Sequence, residues 1–125
     1  MRTARLAACF AALAILVVSA IQAHAAGALA AGQCGAFGYS FDDYSPEAAA
    51  LRAKVQCKGR NCQVVTTFRR TCAALAIDAR NPCGPNGWAQ APTLASAQNT
   101  ASQQCHRYGG KNCVIRAWVC DAKGG

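Results

Sequence analysis

The longest hydrophobic stretch of the chain lies near its amino end, where an almost unbroken apolar run covers residues 6–21. Arg2 and Arg5 precede this run, and the small residues Ala23 and Ala25 follow it. A cationic head, an apolar run and small residues at the cleavage subsites are the three parts of a signal peptide. A permanent membrane anchor is the alternative, but the run is shorter than the roughly 20 residues that span a bilayer.

The chain is therefore predicted to divide into three parts. They are a signal peptide over residues 1–25, a flexible amino-terminal arm over 26–33 and a single disulfide-rich domain over 34–125. Cleavage after Ala25 would leave a mature chain of about 100 residues, which is the size of one domain. We expect a periplasmic or secreted protein with no stable membrane insertion after cleavage.

Two alanine-rich segments of the mature chain have the pattern of helices. In the first, Ser45 can cap the free amides of a first turn, Pro46 suits the first helical position, and Glu47 complements the helix dipole. This helix is expected to end near Cys57, because Gly59 can adopt the left-handed conformation that closes a helix.

The second helix is expected to begin after Pro92, with Thr93 as its cap. Small and apolar residues keep helical spacing along one of its faces. They are Leu94, Ala97, Ala101, Cys105 and Tyr108. This stripe should face the core, and the alanines of both helices allow close approach to a sheet.

Strand patterns occupy much of the remaining domain. They cover residues 36–41, 63–69, 73–78 and 114–119, with a weaker one around Trp88. Prolines and glycines between residues 79 and 92 mark a loop. The sequence therefore predicts a small α+β domain, in which an antiparallel-type sheet carries both alanine-rich helices on one face.

The two halves of the domain resemble each other. One constant offset relates Ala49, Ala53 and Cys57 to Ala97, Ala101 and Cys105, and the turn from Gly59 to Cys62 matches the turn from Gly110 to Cys113. With one gap placed at Gln63, Phe68 matches Trp118. This pattern predicts two copies of one unit packed about a pseudo-twofold axis. Chance similarity between alanine-rich helices is the alternative, and the shared turn disfavours it.

Eight cysteines follow the predicted cleavage point, and an even number in a small exported domain indicates a disulfide framework. If each helix runs back over the strand that follows it, the predicted pairs are Cys57 with Cys62 and Cys105 with Cys113. Two further bridges would join Cys34, Cys72, Cys83 and Cys120 in an order that the sequence leaves open. The spacings do not fit a zinc site, so we expect no metal and no cofactor.

The mature chain is basic, with eleven Lys and Arg against five acids. An anionic envelope component or a protein is therefore an electrostatically easy partner. The charges are scattered, and no run of five or more occurs. Scattered charge favours solubility over a nucleic-acid or lipid-headgroup footprint, so nucleic acid is not the expected partner.

Few residues offer acid–base chemistry. His106 is the one histidine after the predicted cleavage point, and Asp42, Asp43 and Glu47 lie close together in the sequence. A small hydrolase acting on an anionic polymer would have to use these four residues. The simpler interpretation places His106 on the surface near a helix end, the aspartates in a turn and Glu47 at the helix dipole.

The last predicted strand offers a candidate binding surface. Alternation places Val114, Arg116, Trp118 and Cys120 on one face, and Ile115, Ala117 and Val119 on a face that should meet the helices. Through the repeat, Phe68 and Arg70 are expected to join Arg116 and Trp118. Aromatic rings and guanidinium groups would then form one basic-aromatic face, unless other parts of the chain cover it.

One segment carries a family resemblance. The run Cys62-Gln-Val-Val-Thr-Thr-Phe-Arg-Arg-Thr-Cys72-Ala-Ala-Leu-Ala76 follows an alanine-rich helix ending in Cys57, and the chain closes with Cys113-Val-Ile-Arg-Ala-Trp-Val-Cys120. Together they resemble the small exported bacterial proteins called domain of unknown function 4189. The resemblance implies an exported α+β domain and carries no activity. Family members often have a longer hairpin before the first helix, so the first half is expected to lack one strand.

These patterns favour a non-enzymatic binding or interaction module that acts outside the cytoplasm. Its expected binding residues are Phe68, Arg70, Arg116 and Trp118. The two alternatives are the small hydrolase and a secreted effector or inhibitor that binds another protein.

Overall fold

The computed structural model describes residues 25–121, so residues 1–24 of the predicted signal peptide and the last four residues lie outside it. Within this range the chain forms six strands, two α-helices and a short 3-10 helix at Gln33–Gly35 between the first two strands. The strands and α-helices carry the labels used below. They are β1 (Ala26–Ala31), β2 (Phe37–Asp43), α1 (Pro46–Gln56), β3 (Gln63–Phe68), β4 (Cys72–Asp78), β5 (Asn86–Ala91), α2 (Leu94–Arg107) and β6 (Cys113–Cys120). The α+β class predicted from the sequence is confirmed.

Both helices begin where their caps predict. The Ser45 hydroxyl accepts a hydrogen bond from the Ala48 N–H at 3.1 Å, and the Thr93 hydroxyl accepts one from the Ser96 N–H at 3.2 Å. Each contact satisfies an amide that the first turn of a helix leaves without a partner. The start of each helix is therefore encoded locally.

The strands form two antiparallel three-stranded sheets. The first sheet has the order β2-β1-β3, and the second has the order β5-β4-β6. The first strand of each half thus lies in the centre, flanked by the strands before and after the helix. The halves share the same order of elements and the same strand order, while the pseudo-twofold axis stays a prediction.

The two sheets pack face to face, and each carries one helix on its outer side. Leu29 of β1 and Leu75 of β4 belong to one apolar cluster between the sheets. Ala28 shares a second cluster with α1, and Ala74 shares a third with α2. The four layers are α1, the first sheet, the second sheet and α2, so the expectation of both helices on one face of one sheet is wrong.

The expectation of a flexible arm over residues 26–33 is also wrong. Residues 26–31 form β1, the central strand of the first sheet, and its first five residues are buried. Small residues are needed there: a Cβ on Gly27 would lie 2.5 Å from Cε2 of Phe68. Ala28 and Ala30 face α1 at full burial. β1 also supplies the strand that the first half was expected to lack.

The same contacts hold each helix against its edge strand. Gly38 lies against the backbone of Ala53 and Cys57, and Gly87 lies against the backbone of Ala101 and Cys105. The next residue of each strand donates its N–H to a helix glutamine, from Tyr39 to Gln56 at 2.6 Å and from Trp88 to Gln104 at 3.3 Å. A side chain at either glycine would push the helix away.

Four disulfides cross-link these elements. Cys57–Cys62 and Cys105–Cys113 each join a helix end to the strand that follows, and they coincide with the pairs expected from the sequence. The order left open is Cys34–Cys83 and Cys72–Cys120. Cys72–Cys120 joins β4 to β6, whereas Cys34–Cys83 ties the first half of the domain to the second.

Two buried aspartates hold loops at opposite ends of the second sheet. Asp121 accepts from the N–H of Asp42 at 2.7 Å and from the N–H of Arg70 at 3.2 Å. Asp78 accepts from the N–H of Lys111 at 3.1 Å and from the N–H of Arg80 at 2.9 Å. The Lys111 and Arg80 bonds hold the pKa of Asp78 below its ordinary value, because they stabilise the charged form.

We expect Leu29→Ala to lower the free energy of unfolding by about 2–5 kcal/mol, because the change removes a fully buried side chain between the sheets. Urea unfolding with the disulfides intact measures this loss. Leu51→Ala is the matched control, since Leu51 is 66% exposed on α1. Equal small effects of the two changes would mean that residues 26–31 are not part of the core.

Asp78→Asn tests whether the Asp78 carboxylate stabilises the fold, because that contribution depends on pH. The folded pKa lies below the unfolded pKa, so the carboxylate contributes fully above about pH 4 and loses its contribution as pH falls through the folded pKa. We expect the variant to be less stable than the wild type at pH 7. The gap in the free energy of unfolding should narrow as pH falls below about 4. A gap that does not change with pH would contradict this assignment.

Candidate binding groove between two edge strands

The packing of the sheets places the edge strand β2 beside the edge strand β6. An open groove of about 520 Å³ lies between them. Its lining consists of Phe37, Tyr39 and Phe41 from β2 and residues 116–120 from β6. The groove is therefore built by both halves of the domain.

One wall of the groove is a row of aromatic rings. Phe37, Tyr39 and Phe41 alternate along β2, so their side chains leave the same face of the strand. The rings of Phe37 and Tyr39 are nearly parallel, at an interplanar angle of 7° and a centroid distance of 6.3 Å. Phe41 is 53% exposed, and so is Trp118, which joins the groove at its edge because it pairs with Ala74 on the α2 face of the second sheet. Much apolar ring surface is thus open to solvent.

Arg116 is directed into the groove by an irregularity in β6. The pairing of β4 with β6 shifts between Leu75 and Ala76, which leaves Arg116 as an extra residue. Such a bulge re-aims a side chain. The guanidinium carbon lies 5.2 Å from the centre of the Phe37 ring, and Nε donates to the carbonyl of Gly35 at 3.1 Å. Within residues 25–121 no hydrogen bond or ion pair occupies its two terminal nitrogens, which can therefore donate to a ligand.

The same bulge corrects the predicted faces of β6. Ala117 and Val119 pack between the two sheets, whereas Ile115 packs on the α2 side. The expectation that all three face the helices is therefore wrong. Simple alternation could not show this, because one extra residue reverses the face of everything beyond it.

Phe68 does not belong to the groove. It is 4% exposed and packs between the sheets from β3, the edge strand on the other side of β1. In the first sheet Thr66 of β3 pairs with Leu29 of the central strand, and in the second sheet Ala117 of β6 pairs with Leu75 of the central strand. Thr66 and Ala117 are therefore equivalent positions. Phe68 therefore occupies the place of Val119, not of Trp118. The gap placed at Gln63 slipped the comparison by one residue and moved Phe68 to the wrong face.

Arg70 also lies outside the groove lining. Its backbone N–H donates a hydrogen bond to the Asp121 carboxylate, its φ is 53°, and its side chain is exposed. Of the four predicted binding residues, the structure brings Arg116 and Trp118 together. In the sequence, the alternation of Phe37, Tyr39 and Phe41 could have indicated the aromatic wall of the groove. The sequence placed most of this segment in a strand but gave no reason to set it beside β6.

The candidate hydrolase residues do not form a site. His106 lies before the start of β6, with Nδ1 2.9 Å from the carbonyl oxygen of Gly110. Asp42 is tied to Asp121, beyond the other end of β6. A strand of this length spans about 23 Å, which separates the histidine from the acids. Asp43 pairs with Arg52, and Glu47 lies in the first turn of α1.

The described part of the chain is strongly basic, and two of its cations lie at or beside the groove. Residues 25–121 contain ten Lys and Arg and five acids, and three of those acids are buried. Lys58 and Arg116 line a second hollow on the side of Phe37 and Tyr39. A ligand in the groove would therefore meet cations and few exposed carboxylates.

Cysteines, metal-ligand clusters and long apolar helices are further features of residues 25–121 that bear on function. All eight cysteines of residues 25–121 form disulfides. In the same range no three His, Cys, Asp or Glu side chains gather as metal ligands would. None of the helices described combines the length and the hydrophobicity that crossing a bilayer requires.

Comparison with protein families identifies the family of this chain. The family model described as domain of unknown function (DUF4189) matches residues 26–120, from the first residue of β1 to the last residue of β6. The chain belongs to this family, as the resemblance in the sequence predicted. Comparison with curated proteins and with solved structures gives no match.

Proposed function

We propose that this protein is an exported, non-enzymatic binding module that holds an acidic glycan in the groove between β2 and β6. The ligand is a chain of sugar rings carrying carboxylate or phosphate groups. The observation that carries the proposal is Arg116, held over Phe37 with its terminal nitrogens free to donate and with Trp118 exposed nearby. Four disulfides support action in the periplasm or outside the cell.

The charge distribution favours an anion. A guanidinium donates two parallel hydrogen bonds to a carboxylate or a phosphate, and such charge-assisted bonds are stronger than neutral ones. Because Nε is already bound to Gly35, the group is held in place before a ligand arrives. Preorganisation of this kind reduces the entropy lost on binding.

The aromatic wall favours a ligand with flat apolar faces. A sugar ring can bury one such face against Phe41 or Trp118, and burial of apolar area contributes about 25 cal/mol per Å². The groove and its neighbouring hollow combine aromatic rings with the cations Arg116 and Lys58. This arrangement suits a polymer in which apolar ring faces alternate with anionic groups.

Calorimetric titration with an oligogalacturonate tests the proposal. We expect Trp118→Ala and Arg116→Gln each to weaken binding about tenfold, through lost stacking and a lost charge-assisted contact respectively. The thermal stability of Trp118→Ala should stay close to that of the wild type, because the side chain is half exposed. Binding should also weaken as ionic strength rises.

Trp88→Ala and Arg107→Gln are matched controls, since both residues are exposed and lie outside the groove lining. A neutral oligosaccharide of equal length should bind much more weakly than the acidic one. Polyglutamate that binds as tightly as the oligogalacturonate would contradict the assignment of a glycan. Equal losses in the groove variants and in the controls would contradict the groove itself.

A further inference from the structure

Asp43, the last residue of β2, has a buried carboxylate that is only half satisfied. The residue is 4% exposed, and its Oδ1 lies 3.2 Å from a terminal nitrogen of Arg52. Its Oδ2 is buried and has no hydrogen-bond partner among the residues described. Burying a charged oxygen without a hydrogen-bond partner costs free energy. A hydrogen-bond donor is therefore expected beside Oδ2.

The strand register shows which group lies nearest. Asp43 pairs with Ala26, the first residue of β1, and Ala26 is fully buried. Opposite residues of an antiparallel pair have their Cα atoms about 4.5–5.5 Å apart. An amino group on the Cα of Ala26 is therefore within reach of the Asp43 carboxylate.

The second half of the domain provides an internal comparison. There the first residue of the central strand, Cys72, pairs with Ala91 in the place that Asp43 occupies in the first half. Thr71 precedes Cys72 in the continuous chain, and the small apolar Ala91 fills the position. The carboxylate thus occurs in the half whose central strand begins at the predicted cleavage point.

We propose that Asp43 is the binding site for the α-ammonium group of Ala26, created when the signal peptide is removed. A signal peptidase adds water across the Ala25–Ala26 peptide bond, so that Ala25 leaves with a carboxylate and the nitrogen of Ala26 becomes an ammonium group. In the precursor this nitrogen is an uncharged amide with one N–H. After cleavage it has three donors, one of which fills the position beside Oδ2.

Processing and folding are coupled by this contact. The precursor keeps an uncompensated oxygen beside the central strand of the first sheet, whereas the mature chain closes it with an ion pair. Arg52 completes the charge arrangement from the rim, where its side chain is 68% exposed. The mature domain is therefore more stable than the same domain with its leader attached.

The test uses the full precursor, exported and processed in cells. Mass spectrometry of the purified protein should give a chain that starts at Ala26. One serine inserted between Ala25 and Ala26 moves the amino group one residue away. We expect this insertion to lower the folding equilibrium constant about tenfold, the scale of a hydrogen bond to a charged group.

The control is the same insertion in Asp43→Asn. Asparagine keeps the shape but removes the charge, so the insertion should cost little in that background. An equal loss in both backgrounds would show that the insertion merely disturbs β1, and a mature chain that starts elsewhere than Ala26 would also overturn the proposal.

A second measurement does not depend on the folding of Asp43→Asn. Brief acetylation near neutral pH normally modifies an exposed α-amino group before lysines, because its pKa of about 7.7–8.0 is lower than the lysine value of about 10.4. In the native wild type we expect the order to be reversed, with Lys54 and Lys58 modified before Ala26. Modification of Ala26 first would overturn the proposal.

Discussion

The apolar layer shared by the two sheets is the constraint on which the rest of the structure depends. Neither sheet has more than three strands, and each has a second apolar face that its own helix does not cover. Leu29 and Leu75 are the largest fully buried apolar side chains, and most of the core is alanine. Because such a core buries little area per residue, covalent cross-links must supply much of the stability.

The groove is a consequence of this packing. With the central strands β1 and β4 lying over each other, β2 runs beside β6 and β3 beside β5, and the aromatic row of β2 lies next to Arg116, with Trp118 at the groove edge. Cys34–Cys83 and the contact from Arg116 to Gly35 both fasten the segment before β2 to the second half. The proposed binding surface therefore depends on the association of the two halves, and neither half contains it alone.

Local signals predicted the parts of the fold that depend on local chemistry. The caps at Ser45 and Thr93 predicted where both helices begin. The short loops after the helices predicted the pairing of four of the eight cysteines. The order of the four layers was not predictable in the same way. Residues 26–31 are alanine and glycine apart from Leu29, so they resemble a linker rather than a central strand. Half of the site was missed for a related reason: β2 and β6 meet only through tertiary packing.

The proposed binding surface is shared by both halves of the domain. Amide chemical shifts of the isotopically labelled, oxidised mature protein, followed during titration with oligogalacturonate, report whether both halves respond to the ligand. We expect the largest shift changes on two separate segments, residues 37–41 and residues 116–120. Changes confined to one half, or centred on the outer face of α2, would rule out a shared surface.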